Sequence, residues 1–191
     1  NVALELETSF EESMLTQYDD IVFATGVTPR LSPIKCSDEK QVFAYDQVIR
    51  GEVELGERIA ILGAGGIGFD MVAFLTETSD QSIDGFKSQW GIECEPACEK
   101  DPRKLYMLKR SAGRFGSELG KTTGWIHRQV AKHHGVEQIA GCEYVAFSNE
   151  GLLVRVNGED KWLDVDTVIA CIGQVSNDRL FNKETLPDNQ H

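Results

Sequence analysis

The chain has 191 residues, 41% hydrophobic and 26% charged, the composition of an ordinary globular protein long enough to bury a sizeable core. Its 19 basic against 31 acidic side chains give a formal net charge of −12, which argues against a surface for nucleic acid or another polyanion. No apolar run approaches the roughly 18 residues of a membrane span, the first dozen residues lack a secretory pattern, and five scattered cysteines fit reduced cytosolic thiols, so a cytoplasmic setting is expected.

In chain order, "YDDIVFATG" (18–26) predicts a short buried strand over 21–24 that ends at a glycine turn. "VTPRLSPI" (27–34), with two prolines in five positions, reads as a linker. "FAYDQVIRGEVELGE" (43–57) predicts a short helix ended at Gly51, followed by a loop; "RIAIL" (58–62) is then a strand that runs into "GAGGIG". Past that turn Ile67, Met71, Val72, Phe74 and Leu75 recur at helical spacing and predict a helix over 66–76.

Residues 77–103 break this rhythm. They are polar, offer only Phe86, Trp90 and Ile92 for burial, and read as an insertion with a short helix near 83–90. "KLYMLKR" (104–110) is the next strand. "KTTGWIHRQVAKHHG" (121–135) is helical, with Thr122 or Thr123 as cap, Ile126 and Val130 facing inward and Gly135 as its end. A third short strand, "VEQIA", leads to "CEYVAF", "LLVRVN" and "KWLDV", which two hairpin signals join into a meander. "DTVIACIG" (166–173) is a last buried strand, and the remainder shows no core pattern. Segments 19–26 and 166–173 share the pattern Asp-x-apolar-apolar-x-x-x-Gly. Strands alternating with helices mean an α/β fold with a parallel sheet of the nucleotide-binding type.

The Gly63-Ala64-Gly65-Gly66-Ile67-Gly68 stretch has the spacing of a phosphate-binding turn between strand and helix. Gly63 makes the turn, Gly65 admits a pyrophosphate without a Cβ in the way, and Gly68 allows close helix–strand packing, with main-chain amides and the helix dipole facing the anion. The ribose site should lie at the end of the second strand. Asp84 has the sequence distance of an NAD-type carboxylate but falls in the insertion; the strand actually ends in Lys109, Arg110 and Ser111, with Arg114 close behind and no carboxylate before Glu118. Those cations suit a 2′-phosphate, so NADPH is expected rather than NADH, with Arg110 the principal contact. Asp70 is explained either by the helix dipole or by contact with a nicotinamide carboxamide.

Three stretches, "YDDIVFATGVTPR", "AILGAGGIGFD" and "LGKTTGWIHR", resemble the C-terminal region of the NADPH-dependent 2,4-dienoyl-CoA reductases, the multidomain iron–sulfur flavoenzymes of bacterial fatty-acid oxidation. The resemblance implies a Rossmann-like three-layer domain of the flavin disulfide oxidoreductase type, with a three-stranded β-meander and a fragment of the adjoining FAD domain. Residues 1–47 would be FAD-domain edge and linker, 48–175 the NADP(H)-binding domain, and 176–191 a tail returning to the FAD domain. NADPH would then pass hydride to FAD, and a 4Fe-4S cluster and FMN in other parts of the polypeptide would carry electrons to an unsaturated acyl-CoA. Gly173 would lie near the nicotinamide, and Ala24, Thr25 and Gly26 would border FAD.

The barrel, the cysteine cluster and the first FAD-gripping glycine motif would lie outside this segment, which is therefore expected to bind nucleotide without completing catalysis. No catalytic residue or metal ligand is assigned within it. In "GKTTGWIHR", Lys121 and the first-turn amides suit an anion from NADPH or from CoA, and Trp125 and Arg128 are candidates for substrate contact; the alternative is a capped helix whose Trp125 and His127 pack against neighbouring layers. Rival readings are another flavin reductase, which for disulfide chemistry would need a C-x-x-C or C-x4-C pair that the chain lacks, and a nucleotide-holding module without turnover.

Overall fold

The computed structural model of the chain describes residues 2–32, 34–37, 41–77, 82–89 and 103–178. It divides into two compact units, Pro29–Gly173 and a smaller one formed by Asn1–Thr28 with Gln174–His191.

The smaller unit holds a 3-10 turn at Glu12–Thr16 and most of strand β1 (Val27–Pro29), which pairs with a strand at Gln174–Ser176. The strand expected over 21–24 is not formed. An apolar run becomes a strand only where a neighbour accepts its backbone ladder. Among the described residues none does so there, and Phe23 instead packs edge-on against Phe10, ring centroids 5.2 Å apart. Pairing moves to 27–29, which the two prolines had marked as linker. Nearby, the Asn177 amide donates to the Gly26 carbonyl at 3.0 Å and its side chain to the Thr25 carbonyl at 3.2 Å.

The larger unit begins with β2 (Lys35–Cys36), β3 (Val42–Ala44) and α1 (Tyr45–Ile49). Residues 43 and 44, expected in the helix, are strand: the Ala44 amide donates to the Gln47 side chain at 3.0 Å, which closes the helix start behind it. Gly51 ends α1 as expected, donating to the Val48 carbonyl at 3.0 Å from a backbone with φ +68°. Then come β4 (Arg58–Leu62), α2 (Gly66–Thr76), α3 (Ile83–Gln89), β5 (Lys104–Lys109), α4 (Gly124–His133) and β6 (Glu137–Ala140). The meander follows as β7 (Cys142–Ser148), β8 (Gly151–Val156) and β9 (Glu159–Leu163), and the chain returns through β10 (Thr167–Ala170) to β11 (Gln174–Ser176). Of the insertion, 78–81 and 90–102, with Trp90, Ile92, Cys94 and Cys98, lie outside the described residues, as does the tail from 179.

A five-stranded parallel sheet has the order β3-β10-β4-β5-β6, and β7, β8 and β9 form an antiparallel layer extended by β2. The central strands are apolar throughout because both of their faces are covered. Ile59, Ile61, Leu105, Met107 and Ile169 meet the helices in one core with Phe69, Met71, Val72, Leu75 and Val130. Ala60, Leu62, Tyr106, Leu108 and Val168 alternate to the other face and meet Phe147, Leu152, Val154 and Leu163 of the meander. Each such fully buried Leu, Ile or Phe contributes about 1.5–3 kcal/mol relative to exposure.

Helix α2 spans the residues expected of it, with one change of face: Phe69 is buried and Phe74 is 42% exposed. In α4, Val130 is buried and Ile126 packs on the same core. Thr123 holds the cap position without a side-chain hydrogen bond. Gly135 follows the end, its amide on the Lys132 carbonyl at 3.1 Å. Among the described residues no helix is long and apolar enough to cross a membrane.

Candidate functional site

The site is built where β4 meets α2. The Gly63 amide donates to the Leu108 carbonyl at 2.8 Å, which ties the start of the turn to the end of β5. Gly63 has φ +113°, and a Cβ there would strike the Cys171 carbonyl; a Cβ at Gly68 would strike the Gly63 carbonyl. These two glycines serve close packing. Gly65 and Gly66 differ: both are exposed, and a Cβ at either would meet nothing within 4 Å. The Gly65 carbonyl accepts from Phe69 at 3.2 Å, while the amides of Gly65, Gly66 and Ile67 donate to no described residue. Such first-turn amides at the positive end of a helix are a ready anion site.

That end opens into a cleft of about 740 Å³ lined by Gly63, Gly65, Gly66 and Ile67, by Lys109, Arg110 and Ser111, and by Tyr144, Cys171, Ile172 and Gly173. Its size falls in the range of small-molecule and cofactor sites. Eight of the residues expected around NADPH therefore share one cavity. Ala64 and Arg114 line an adjoining hollow together with Gly65, Lys109, Ser111 and Glu118. Arg110 and Arg114, expected to act together, face different hollows, with Lys109 and Ser111 lining both. Neither arginine's guanidinium has an ion pair or hydrogen bond to another described residue. The Lys109 ammonium is occupied: it donates to the Arg114 carbonyl at 2.9 Å and sits 5.0 Å over the Phe115 ring, so it shapes the loop between them.

Gly68 lies behind the turn, buried, and not on the cleft surface. Asp70, the fifth residue of α2, is exposed beyond the first turn, where the helix dipole has faded. Its charge reaches Cys171 on the cleft wall. Lys121 and Arg128 line a third hollow with Arg114, Gly116 and Ser117. Arg128 also donates to the Gly116 carbonyl at 2.9 Å, whereas Trp125 is 51% exposed and lines none of these hollows. Ala24, Thr25 and Gly26 lie in the smaller unit.

Three cleft residues, Tyr144, Cys171 and Ile172, lie outside the expected set. Tyr144 sits inside a strand that reads only as one arm of the meander, and Cys171 and Ile172 sit inside a buried strand pattern; nothing local marks any of them as cleft-lining. Burial pushes the Cys171 thiol up to about 12, with the Asp70 carboxylate adding to the effect. Burial also raises the Cys142 thiol. Cys36 is exposed. Iodoacetamide at pH 8 is therefore expected to alkylate Cys36 and spare Cys142 and Cys171 in the folded chain, as peptide mass mapping would read; rapid labelling of Cys171 would contradict the packing described.

Comparison with known proteins agrees with this architecture. The family model described as pyridine nucleotide-disulphide oxidoreductase matches residues 3–190. A metal reductase of Desulforamulus reducens is 26% identical over 173 residues, covering 86% of this chain and 25% of that protein. A cinnamate reductase of Clostridium sporogenes is 20% identical over 185 residues, covering 95% of this chain and 24% of that protein. Among solved structures, a 2-naphthoyl-CoA reductase in complex with 2-naphthoyl-CoA superposes with a TM-score of 0.62 at 17% identity, over 88% of this chain and 22% of the other. This chain thus spans about a quarter of the length of the curated relatives it matches.

Proposed function

The chain belongs to the pyridine nucleotide-disulphide oxidoreductase family, and we propose that it is the NADPH-binding part of a multidomain flavoenzyme of the dienoyl-CoA reductase type. The observation that carries this reading is the exposed glycine turn, whose amides at 65–67 have no acceptor among the described residues, set beside Arg110 and Arg114, whose guanidinium groups pair with no other described residue. Gly65 and Gly66 leave open space where a Cβ would stand, so the residues present fit a dinucleotide.

When bound, NADPH supplies the hydride that FAD accepts. The chain's own part is to bind and orient. Gly65, Gly66 and Ile67 hold the pyrophosphate on their amides, Gly63 and Gly68 keep the turn pressed against β5 and β10, and Ala64 borders the ribose side. Arg110, with Ser111, takes the 2′-phosphate; Arg114 adds positive charge from the adjoining hollow, and Lys109 holds the loop between them. Gly173 and Asp70 serve the nicotinamide end. The segments around residues 24–26 and 174–176 face FAD in the intact enzyme, while FMN and the 4Fe-4S cluster belong to other parts of it. The hollow of Lys121 and Arg128, with Trp125 on the same helix, receives phosphates of an acyl-CoA substrate. The free thiols Cys36, Cys142 and Cys171 among the described residues support a cytoplasmic setting.

The names of the two curated relatives point to different electron acceptors, a metal and cinnamate. A nucleotide half shared among enzymes whose acceptor is chosen elsewhere in the polypeptide fits this pattern, and it keeps another flavin reductase as the second reading.

Calorimetric titration with NADPH and NADH is expected to give tighter NADPH binding. Arg110→Ala should remove about 1.5–3 kcal/mol of it, roughly 10- to 100-fold in affinity, with little change for NADH. Equal affinities for the two nucleotides, unchanged by the substitution, would remove the assignment of Arg110.

A further inference from the structure

We propose that Tyr144 is a positioning residue that sets the register between the glycine turn and the basic segment following β5, an assignment that rests on the nucleotide reading above. The geometry turns on one carbonyl. Leu108 O accepts the Gly63 amide at 2.8 Å and the Tyr144 hydroxyl at 3.1 Å. The first donor opens the turn; the second comes from the meander layer; the acceptor immediately precedes Lys109, Arg110 and Ser111. Both halves of the cleft, the phosphate end and the ribose end, therefore hang on Leu108.

Tyr144 lies on β7 just before an irregularity in that strand. The strand's pairing with β8 shifts register between Tyr144 and Ala146. Without that shift, Cys142, Tyr144 and Ala146 would share one face along the whole strand. With it, Phe147 rather than Ala146 joins Cys142 and Tyr144 on the core-facing side, from which the Tyr144 hydroxyl reaches the end of β5. The tyrosine ring lines the main cleft and also the neighbouring hollow, where Arg110 and Ile172 join it. Burial holds the phenol well above its ordinary range, with Cys142 and Cys171 nearby and the Arg110 charge acting in the opposite sense, so the hydroxyl stays a donor.

Tyr144→Phe keeps the ring and removes the donor. Leu108 O retains the Gly63 bond, so the fold survives. In the 191-residue chain, hydrogen exchange at the Gly63 amide is expected to quicken about tenfold, while the Val154 and Ile169 amides stay as in the wild type. A hydroxyl that merely stabilised the fold would quicken all three alike. At a temperature well below unfolding, the NADPH Kd should rise about tenfold, and the combined Tyr144→Phe and Arg110→Ala variant should lose less than the product of the single losses, because both act through one segment. Unchanged exchange at Gly63, uniform quickening, or an unchanged Kd in a protein that does bind NADPH would overturn the assignment. If the wild type bound no nucleotide the functional reading would fall, and exchange at Gly63 would still decide the role of Tyr144.

Discussion

Gly68→Ala is expected to destabilise the chain by about 3 kcal/mol, against a propensity gain of roughly 1 kcal/mol that alanine brings to a helix interior. The added Cβ would be driven into the Gly63 carbonyl, a backbone atom that cannot swing aside. Relief requires α2 to lift from β4, and that pulls Phe69, Met71, Val72 and Leu75 out of one core. Gly63→Ala should act similarly, since it adds the strain of φ +113° to a clash with the Cys171 carbonyl. Urea unfolding followed by circular dichroism would read the loss as a lower midpoint at unchanged slope. Wild-type stability in both variants would mean that strand and helix are not pressed together as described.

Gly65→Ala is expected to do the opposite. Its φ is −82° and a Cβ there meets open space, so stability should hold or rise by about 0.5 kcal/mol. The same Cβ would occupy the approach of a pyrophosphate to the amides at 65–67, and NADPH affinity should fall by at least about tenfold. On the proposed function, one motif would separate into glycines that hold the fold and a glycine that admits the ligand. A variant that bound NADPH normally would move the phosphates away from this turn.

The parallel sheet and its turn were legible because their signals are local: an apolar strand, three spaced glycines and an amphipathic helix lie side by side in the chain. The meander was legible from its two hairpin turns. What escaped depends on partners distant in sequence. Residues 42–44 are strand because Ala170 and its neighbours pair with them, and 174–176 are strand because 27–29 do. The apolar run at 21–24 forms no strand, and Phe23 packs against Phe10 instead. At the site, the glycines and the residues at 109–111 were expected from spacing, and Gly173 from the family resemblance; all of them line the cleft or the turn behind it. Tyr144 was not, because its importance lies in a carbonyl on another layer, which leaves no mark in sequence. The placing of Arg110 and Arg114 in separate hollows is likewise a matter of loop geometry, set in part by the Lys109 ammonium on the Arg114 carbonyl.

The central claim is that cofactor phosphates rest on the amides at the head of α2, which have no acceptor among the described residues. Titrating NADPH into uniformly 15N-labelled chain tests it most directly. The account predicts saturable shifts largest at the amides of Gly65, Gly66 and Ile67, joined by Arg110 and Ser111 and absent from the far end of the meander at Asn157 and Gly158. Saturable binding that left the amides at 65–67 unmoved would contradict it.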